Sequence, residues 1–313
     1  MDQLRFTVII VTYNRVECLK KALKCYDDQI LKPECIIVVN NASTDTTENF
    51  LDEWEGEEAN YKKVVINNLH NIGGAGGFAT GISAGLEIES DFLFVADDDA
   101  YADPAMLKQL NDEYFRSFKN MEIAALCSSV VNYGHYDYVH RRSIRRGMVS
   151  VKKMLSTEDD YKRDYFEIDE FSFVGAAIKT DIARKAGIPR QDFFIYFDDT
   201  EYSHRIGQYG KIVCIPSSKM NHNVASGHDD KLVTWRSYYS LRNSLTVLKM
   251  YFPPKYFFAE AMKHWILRTT IFSRILKGRN STEIRLLRDA INDAYRGRLG
   301  ISDTYKPGSK LQK

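Results

Sequence analysis

Short runs of apolar residues alternate, in the first half of the chain, with segments whose apolar residues recur every three or four positions. The runs are rich in β-branched residues, which is typical of strands buried on both faces of a parallel sheet. The intervening segments have the period of an amphipathic helix. The alternation predicts a doubly wound α/β fold, with strands at residues 6–11, 35–39, 64–66, 92–96, 123–131, 171–178 and 212–215.

A polar or glycine-rich turn follows each of the first three strands, at residues 12–15 (TYNR), 40–45 (NNASTD) and 71–77 (NIGGAGG). Ser43 or Thr44 is expected to cap the helix after the second strand. The third turn has four glycines in five positions, ahead of a helix predicted at 78–88. Unshielded amides before a helix suit a diphosphate, and the alternative is a flexible turn.

Two groups of carboxylates stand where apolar runs end. Asp97, Asp98 and Asp99 end the run FLFVADDDA, at the sheet edge where open α/β folds bind ligands. Adjacent carboxylates repel one another unless a hard cation such as Mg²⁺ or Mn²⁺ lies among them. The alternative is an acidic turn that caps the helix predicted from Pro104 to about Phe118. A second group, DDTE at 198–201, follows the aromatic run 193–197.

Residues 133–163 show no clear period and contain many charged residues, including Arg141, Arg142, Arg145 and Arg146. We expect a solvated loop, with a mobile lid near an anionic substrate as the alternative.

Composition limits the function. The chain has 313 residues, enough for one large α/β domain with or without a C-terminal addition. Because 43 basic residues nearly balance 42 acidic ones, we expect no nucleic-acid partner. The five scattered cysteines predict free thiols rather than disulfides or a zinc site. A strand that begins near the N-terminus, and the lack of a long uncharged apolar run, predict a cytoplasmic protein without a signal peptide or spanning helix.

The ordered set of motifs resembles the inverting family-2 glycosyltransferases. The matching pieces are TYNR, NNASTD, NIGGAGGF, DDD, FVGAA, DDTE, a later histidine and YSLRN at 239–243. The combination of GGAGGF with DDD is most similar to the galactofuranosyltransferase and rhamnosyltransferase branch, which builds cell-surface polysaccharides on lipid-linked acceptors. The resemblance implies a GT-A type, Rossmann-like, doubly wound mixed sheet with a C-terminal helical extension. We expect a catalytic domain at 1–230 and a helical region at 231–313.

The resemblance also implies residue roles. The donor, a UDP- or dTDP-sugar, would contact Thr12, Tyr13, Arg15, Asn41, Asp45, Asn71, Gly73, Gly76, Gly77, Asp97 and Asp98. Asp45 would accept the imide N–H of the pyrimidine, which uracil and thymine share. Mn²⁺ or Mg²⁺ would bind Asp97, Asp99 and His222, with His228 as a competitor for the histidine role.

The same resemblance assigns the reaction. Asp199 would be the catalytic base of a single inverting displacement, with Asp198 as the second choice or an acceptor-orienting group. The acceptor would lie against Gly175, Ala176 and Glu201. The expected reaction moves galactofuranose from UDP-galactofuranose to a lipid-linked oligosaccharide or polysaccharide acceptor. A dTDP-rhamnose transferase and a non-catalytic nucleotide-sugar-binding subunit are the alternatives, and the intact carboxylates argue against the second.

The C-terminal quarter predicts helices at 232–250, 256–276 and 281–296. The middle helix and its flanks, residues 255–279, combine aromatic residues with six basic residues and the single acid Glu260. This composition favours docking on an anionic membrane surface, and hence a peripheral location on the inner face of the cell membrane. The alternative is a helix that packs on the domain or on a second subunit, so a homo-oligomer is compatible with the sequence.

Overall fold

A computed structural model of the chain describes residues 3–223, 234–269 and 281–309. Its first half alternates strands and helices as the pattern predicts. These elements are β1 (Phe6–Thr12), α1 (Val16–Asp27), β2 (Cys35–Asn40), α2 (Thr47–Gly56), β3 (Lys62–Asn67), α3 (Gly73–Gly85) and β4 (Phe92–Asp97).

The second half contains more and shorter strands. Its elements are β5 (Tyr101–Ala102), α4 (Met106–Glu113) with a π-helical turn (Tyr114–Phe118), β6 (Ile123–Asn132), β7 (His135–Tyr136), β8 (Arg141–Arg146), β9 (Val151–Leu155), β10 (Phe166–Ile168), β11 (Glu170–Phe171), β12 (Ala176–Lys179), α5 (Thr180–Ala186), α6 (Asp198–Ile206) and β13 (Lys211–Asn221). Three C-terminal helices follow, α7 (Trp235–Tyr251), α8 (Pro254–Thr269) and α9 (Ser281–Arg296).

The main sheet is mixed, with the strand order β10-β13-β6-β12-β4-β1-β2-β3. The four strands β3, β2, β1 and β4 are parallel, whereas β12 is antiparallel to both of its neighbours. In this register Thr12 lies beside Asn40, and Val11 lies beside Asp97. The TYNR, NNASTD and DDD segments therefore meet at one edge of the sheet, as predicted.

Helices cover both faces of the sheet, each over its own apolar core. Helices α1, α2 and α4 contribute to one core, and α3, α5 and α6 to the other. The end of β13 pairs with both β6 and β5, which brings the following residue, His222, towards the acidic turn after β4.

The prediction of an open glycine turn before a helix at 78–88 is wrong, because α3 begins at Gly73. Several of its glycines face the sheet. A Cβ atom added at Gly77 would lie 2.5 Å from Val11 Cγ1, and one at Gly81 would lie 2.3 Å from Ile9 Cγ2. These glycines let the helix approach β1 closely.

Two local expectations also fail. Neither Ser43 nor Thr44 caps α2; the Asp45 carboxylate accepts from the Thr47 amide (3.0 Å), while the Ser43 hydroxyl accepts from the Asn14 amide (3.0 Å). Residues 133–163 are not a structureless loop, because β8 and β9 form a hairpin that β11 extends to a three-stranded sheet. The many charged residues of this hairpin hide the alternation of apolar and polar positions that would otherwise predict strands.

The C-terminal helices share a third apolar cluster, to which Phe194 also contributes. The predicted helix at 256–276 begins at Pro254 and is described to Thr269; its last predicted residues lie outside the described part of the chain. None of the helices in the described residues is long and apolar enough to cross a membrane.

Candidate active site

The acidic turn after β4 is held by the TYNR segment. Asp98 is 4% exposed and accepts from Thr12 Oγ1 (2.7 Å) and Arg15 Nη1 (3.2 Å). The same Arg15 nitrogen lies 2.5 Å from Asp99 Oδ2. Thr12 and Asp98, both predicted to contact the donor, thus have their polar atoms engaged inside the protein, whereas Arg15 is half-exposed and reaches the edge of the site.

Asp97, Asp99 and His222 lie close enough to share a cation. One potential ligand atom from each of them can be chosen so that all three lie within 4.8 Å of one another. His222 Nε2 is 3.3 Å from Asp99 Oδ1, and His222 Nδ1 is buried without a hydrogen-bond partner among the described residues. Two carboxylates and an imidazole are a donor set that Mn²⁺ or Mg²⁺ accepts. The competitor His228 lies outside the described residues.

The electrostatics of the acidic turn favour a bound cation. Burial, followed by the charges of Asp99 and Asp98, raises the pKa of Asp97 to about 7. Burial also acts to raise the pKa of Asp99, but the hydrogen bond with His222 and the charge of Arg15 outweigh it and lower that pKa to about 2. Additional positive charge would therefore stabilise the ionised form of Asp97.

The second acidic group lies in the first turn of α6. Asp198 is 7% exposed, and burial followed by the charge of Asp199 raises its pKa well above the usual range. The charge of Asp97 acts in the same direction, so the two carboxylates interact electrostatically. Asp199 is more open, and its Oδ1 accepts from the Thr200 amide at 2.5 Å.

The segment that leads into α6 has an unusual backbone. Phe194, Tyr196 and Phe197 have φ angles of 66°, 66° and 67°, in the left-handed region that disfavours non-glycine residues. Asn243 of α7 holds this segment, because its Nδ2 donates to the carbonyl oxygens of residues 193, 195 and 196 at 3.0, 2.9 and 2.9 Å. We call Asn243 with these three carbonyls the Asn243 clamp.

Arg242 reinforces the clamp and is itself almost fully buried. Its Nη2 donates to the Phe193 carbonyl at 3.2 Å, and its Nη1 donates to the Gly300 carbonyl at 2.7 Å. Sequence reasoning found Arg242 and Asn243 only as part of the YSLRN motif and gave them no role. Their function depends on a contact across about 50 residues of sequence, which no local pattern indicates.

The same segment touches the start of α3. The Phe194 carbonyl accepts from the Ala75 amide at 3.2 Å. Gly73 has a φ of 77°, and a Cβ atom there would lie 2.0 Å from the Phe194 oxygen. Glycine at this position is therefore required by a close backbone approach, and the donor side of the site is packed directly on the segment that carries Asp198.

The residues predicted for the nucleotide follow the ends of β1, β2 and β3. Tyr13 is 43% exposed, and Asp45 is exposed with its carboxylate near the first amides of α1 and α2. Asn41 is 2% exposed; its amide nitrogen donates to Asn71 Oδ1 (3.1 Å) and to the Gly73 carbonyl (3.0 Å). Asn41 therefore stabilises the turn before α3 through these two hydrogen bonds, and its side chain is almost fully covered by the protein.

The three residues predicted to contact the acceptor lie inside the protein. Gly175 and Ala176 are buried in the sheet, where Ala176 pairs with Val95 and Cys127. Glu201 is 1% exposed, and its two oxygens accept from Tyr251 Oη (2.6 Å) and Arg205 Nη2 (2.7 Å). We therefore do not retain an acceptor role for these residues.

A cluster of charges that the sequence did not reveal lies beside Asp199. The carboxylate of Glu170 is buried and interacts with three groups. Its oxygens lie 2.7 Å from Lys153 Nζ, 3.1 Å from Arg142 Nε and 3.2 Å from His204 Nε2. Burial acts to raise the pKa of Glu170, but the His204 hydrogen bond and the two cations lower it to about 2. Arg142 also donates to Thr200 Oγ1 (3.2 Å), and the charge of Asp199 acts on Lys153.

Comparison with known proteins identifies the family and the fold of the chain. The family model described as "Glycosyl transferase family 2" matches residues 7–187, more than half of the chain. The chain belongs to this family. The matched region includes the TYNR, NNASTD, NIGGAGG and DDD segments, whereas α6, His222 and the Asn243 clamp lie beyond it.

A curated relative is galactofuranosyltransferase GlfT1 of Mycolicibacterium smegmatis, 27% identical over 208 residues, which are 64% of this chain and 65% of that protein. Two solved structures share the fold. One is GalNAc-T7 with UDP, GalNAc and Mn²⁺ (TM-score 0.59, 14% identity, 95% of this chain and 57% of that one). The other is mannosyltransferase PcManGT from Pyrobaculum calidifontis with GDP-Man and Mn²⁺ (TM-score 0.56, 16% identity, 95% and 76%). These likenesses confirm the GT-A type fold and the C-terminal helices.

Proposed function

We propose that the protein is a metal-dependent, inverting glycosyltransferase that moves galactofuranose from UDP-galactofuranose to a hydroxyl group of a lipid-linked or polysaccharide acceptor. The observation that carries the proposal is the clustering of Asp97, Asp99 and His222, together with a buried carboxylate of α6, Asp198, on which the charge of Asp97 acts. The choice of sugar rests on the similarity to GlfT1. A protein that only bound the nucleotide-sugar would need the group of Asp97, Asp99 and His222 but would have no use for the carboxylates of α6.

Asp97, Asp99 and His222 would hold the cation. Mn²⁺ or Mg²⁺ supplies, when bound, positive charge that stabilises a departing diphosphate. Thr12 and Arg15 fix the turn that carries the two aspartates, and Arg15 contributes a cation of its own at the edge of the site. Tyr13, Asp45 and Asn71 are the proposed contacts to the nucleotide, at the ends of three neighbouring strands.

Asp199 is the proposed base. The acceptor oxygen attacks the anomeric carbon as the bond to the diphosphate oxygen breaks, and Asp199 takes the hydroxyl proton. Because Asp198 is nearly sealed from solvent and burial raises its pKa well above the usual range, we assign it to orient the acceptor. One displacement inverts the anomeric configuration without a covalent intermediate.

We place the acceptor in a cavity of about 130 Å³ between the β8–β9 hairpin, α7 and α8. Its walls include the aromatic rings of Phe197, Phe252 and Tyr256, and its polar groups include Lys153 and Glu170. A mostly apolar lining with a few charged groups is typical of ligand sites. Lys153 lines this cavity, and about a third of its side chain (35%) is exposed. The charge of Asp199 acts on the same lysine.

Helix α8 is the proposed contact with an anionic membrane surface, on the inner face of the cell membrane. Phe258, Met262 and Ile266 recur at intervals of four residues and are 53%, 59% and 50% exposed. The exposed Lys255 and Lys263 lie on the same helix. Apolar residues beside basic ones suit an anionic lipid surface.

The test is thermal stability with UDP or dTDP, each with and without Mn²⁺. A ligand at 100 times its dissociation constant stabilises by about 2.7 kcal/mol. We expect stabilisation by UDP that requires Mn²⁺ and is lost in Asp97→Ala/Asp99→Ala. Stabilisation by dTDP alone would favour rhamnose transfer. A nucleotide response without sugar transfer from UDP-galactofuranose to a panel of glycan acceptors would favour a binding subunit.

A further inference from the structure

The turn of the β8–β9 hairpin exposes two large apolar side chains. Met148 is 84% exposed and Val149 is 52% exposed. We call residues 145–152 the hairpin tip. Exposed apolar side chains that lie together and are rimmed by polar residues can mark a protein or membrane interaction site.

The hairpin is also strongly basic. Residues 138–157 contain six basic residues and no acidic residue. Within the tip, Arg145, Arg146 and Lys152 are exposed and flank the apolar pair. The tip therefore combines apolar side chains at its end with positive charge on both strands behind them.

The tip lies beside α8. Tyr256 Oη of α8 donates to the Gly147 carbonyl at 2.8 Å, and the Arg146 guanidinium lies 5.1 Å from the centre of the Phe252 ring. The cavity next to Lys153 is enclosed by the same two elements. A surface that contacted both would lie next to the proposed route of the acceptor to Asp199.

The charge of the tip decides between possible partners. A symmetric contact between two copies would bring the exposed Arg145, Arg146 and Lys152 of each tip together, and like charges at an interface are unfavourable. An anionic lipid surface instead attracts each basic residue and accepts the apolar end. We propose that the hairpin tip is a second membrane-docking element that inserts Met148 and Val149 among anionic headgroups beside α8. This inference extends the membrane docking proposed above for α8.

The experiment is co-sedimentation of the full chain with vesicles of phosphatidylcholine, alone or mixed with phosphatidylglycerol. We expect Met148→Ser/Val149→Ser to lower the partition coefficient on mixed vesicles about tenfold or more, because apolar burial is lost. Arg145→Gln/Lys152→Gln should lower it about fivefold for each charge removed, and only on mixed vesicles. Ile30→Ser is the matched control, since Ile30 is 64% exposed on the loop before β2.

Nucleotide-dependent stabilisation with Mn²⁺ verifies that each variant is folded. Wild-type binding by Met148→Ser/Val149→Ser overturns the inference, and loss of binding in Phe258→Ser/Met262→Ser would then leave α8 as the docking element. A dimer that becomes monomeric in the tip variant, with vesicle binding unchanged, overturns it in favour of contact between copies. If the wild type binds no vesicles, both docking proposals fail, while nucleotide binding still decides the transferase proposal.

Discussion

Removal of the Asn243 side-chain amide tests whether the clamp positions the base. In Asn243→Ala the Ile195 and Tyr196 carbonyls lose a donor at 2.9 Å, while the Phe193 carbonyl keeps Arg242. A carbonyl left unsatisfied costs about 1–3 kcal/mol if it stays buried. Each left-handed residue already costs roughly 1–2 kcal/mol, and the segment contains three. These energies are comparable, so we expect the segment to relax and α6 to start in a different place.

The expected consequence is a loss of turnover without a loss of donor binding. A displacement of reacting groups by about 1 Å costs around 10²-fold in rate. We therefore expect kcat for sugar transfer to fall about 100-fold in Asn243→Ala, with the donor KM and the UDP-dependent stabilisation unchanged. Asn243→Asp has the same shape but sets a carboxylate oxygen against the carbonyls, so its loss should be at least as large.

Leu287→Ala is the control for general destabilisation. Leu287 is fully buried in α9, within the C-terminal cluster, and makes no hydrogen bond to the clamp. The Leu287→Ala substitution should lower the melting temperature, because it leaves a cavity in the core, and it should leave kcat nearly unchanged. The positioning role is refuted if Asn243→Ala retains kcat, or if Leu287→Ala loses as much kcat at an equal loss of melting temperature.

Further predictions concern the base, the glycine helix and the buried acid cluster. Asp199→Asn should lower transfer about 10²–10⁴-fold while nucleotide binding persists; retained turnover there with a loss in Asp198→Asn would reverse the two roles. Gly77→Ala should lower stability in urea by roughly 1–3 kcal/mol because its Cβ would meet Val11, whereas Gly74→Ala, with nothing within 4 Å, should stabilise α3 by up to about 1 kcal/mol. Glu170 has a folded-state pKa lowered to about 2, so its contribution to stability is present above its unfolded pKa and is lost as the pH falls towards 2. Urea unfolding of Glu170→Gln should thus show a deficit at neutral pH that shrinks in acid, and a deficit independent of pH would contradict that ionisation.

The sequence predicted the parallel half of the sheet well because three of its four strands, β1, β2 and β4, are continuous apolar runs buried on both faces. Phe6–Thr12 and Phe92–Asp97 are examples, and their neighbouring positions in the sheet put the predicted polar turns side by side. The β8–β9 hairpin was missed because its strands are largely exposed and charged, so neither hydrophobic period is visible. The start of α3 was predicted too late in the chain because glycine usually indicates a turn. Here the glycines instead allow the helix to pack closely on β1.

The site was predicted where function resides in a compact motif and missed where it depends on distant contacts. Asp97, Asp99 and His222 come together as the resemblance implied. The residues predicted to contact the acceptor lie inside the protein. A glycine in a strand indicates close backbone approach without saying what approaches, and at Gly175 the nearest neighbours are Met220 and Ser128 of the sheet.

The Phe194 backbone joins the two halves of the site. Its carbonyl accepts from the first turn of α3, its neighbours are held by Asn243, and the chain reaches Asp198 four residues later. We expect a change at the start of α3 to reach the proposed base, Asp199, through this short segment. Because left-handed residues relax when their restraints are removed, the segment can carry the carboxylates only while both α3 and α7 hold it. The proposed catalytic site therefore depends on a contact from the C-terminal helix α7.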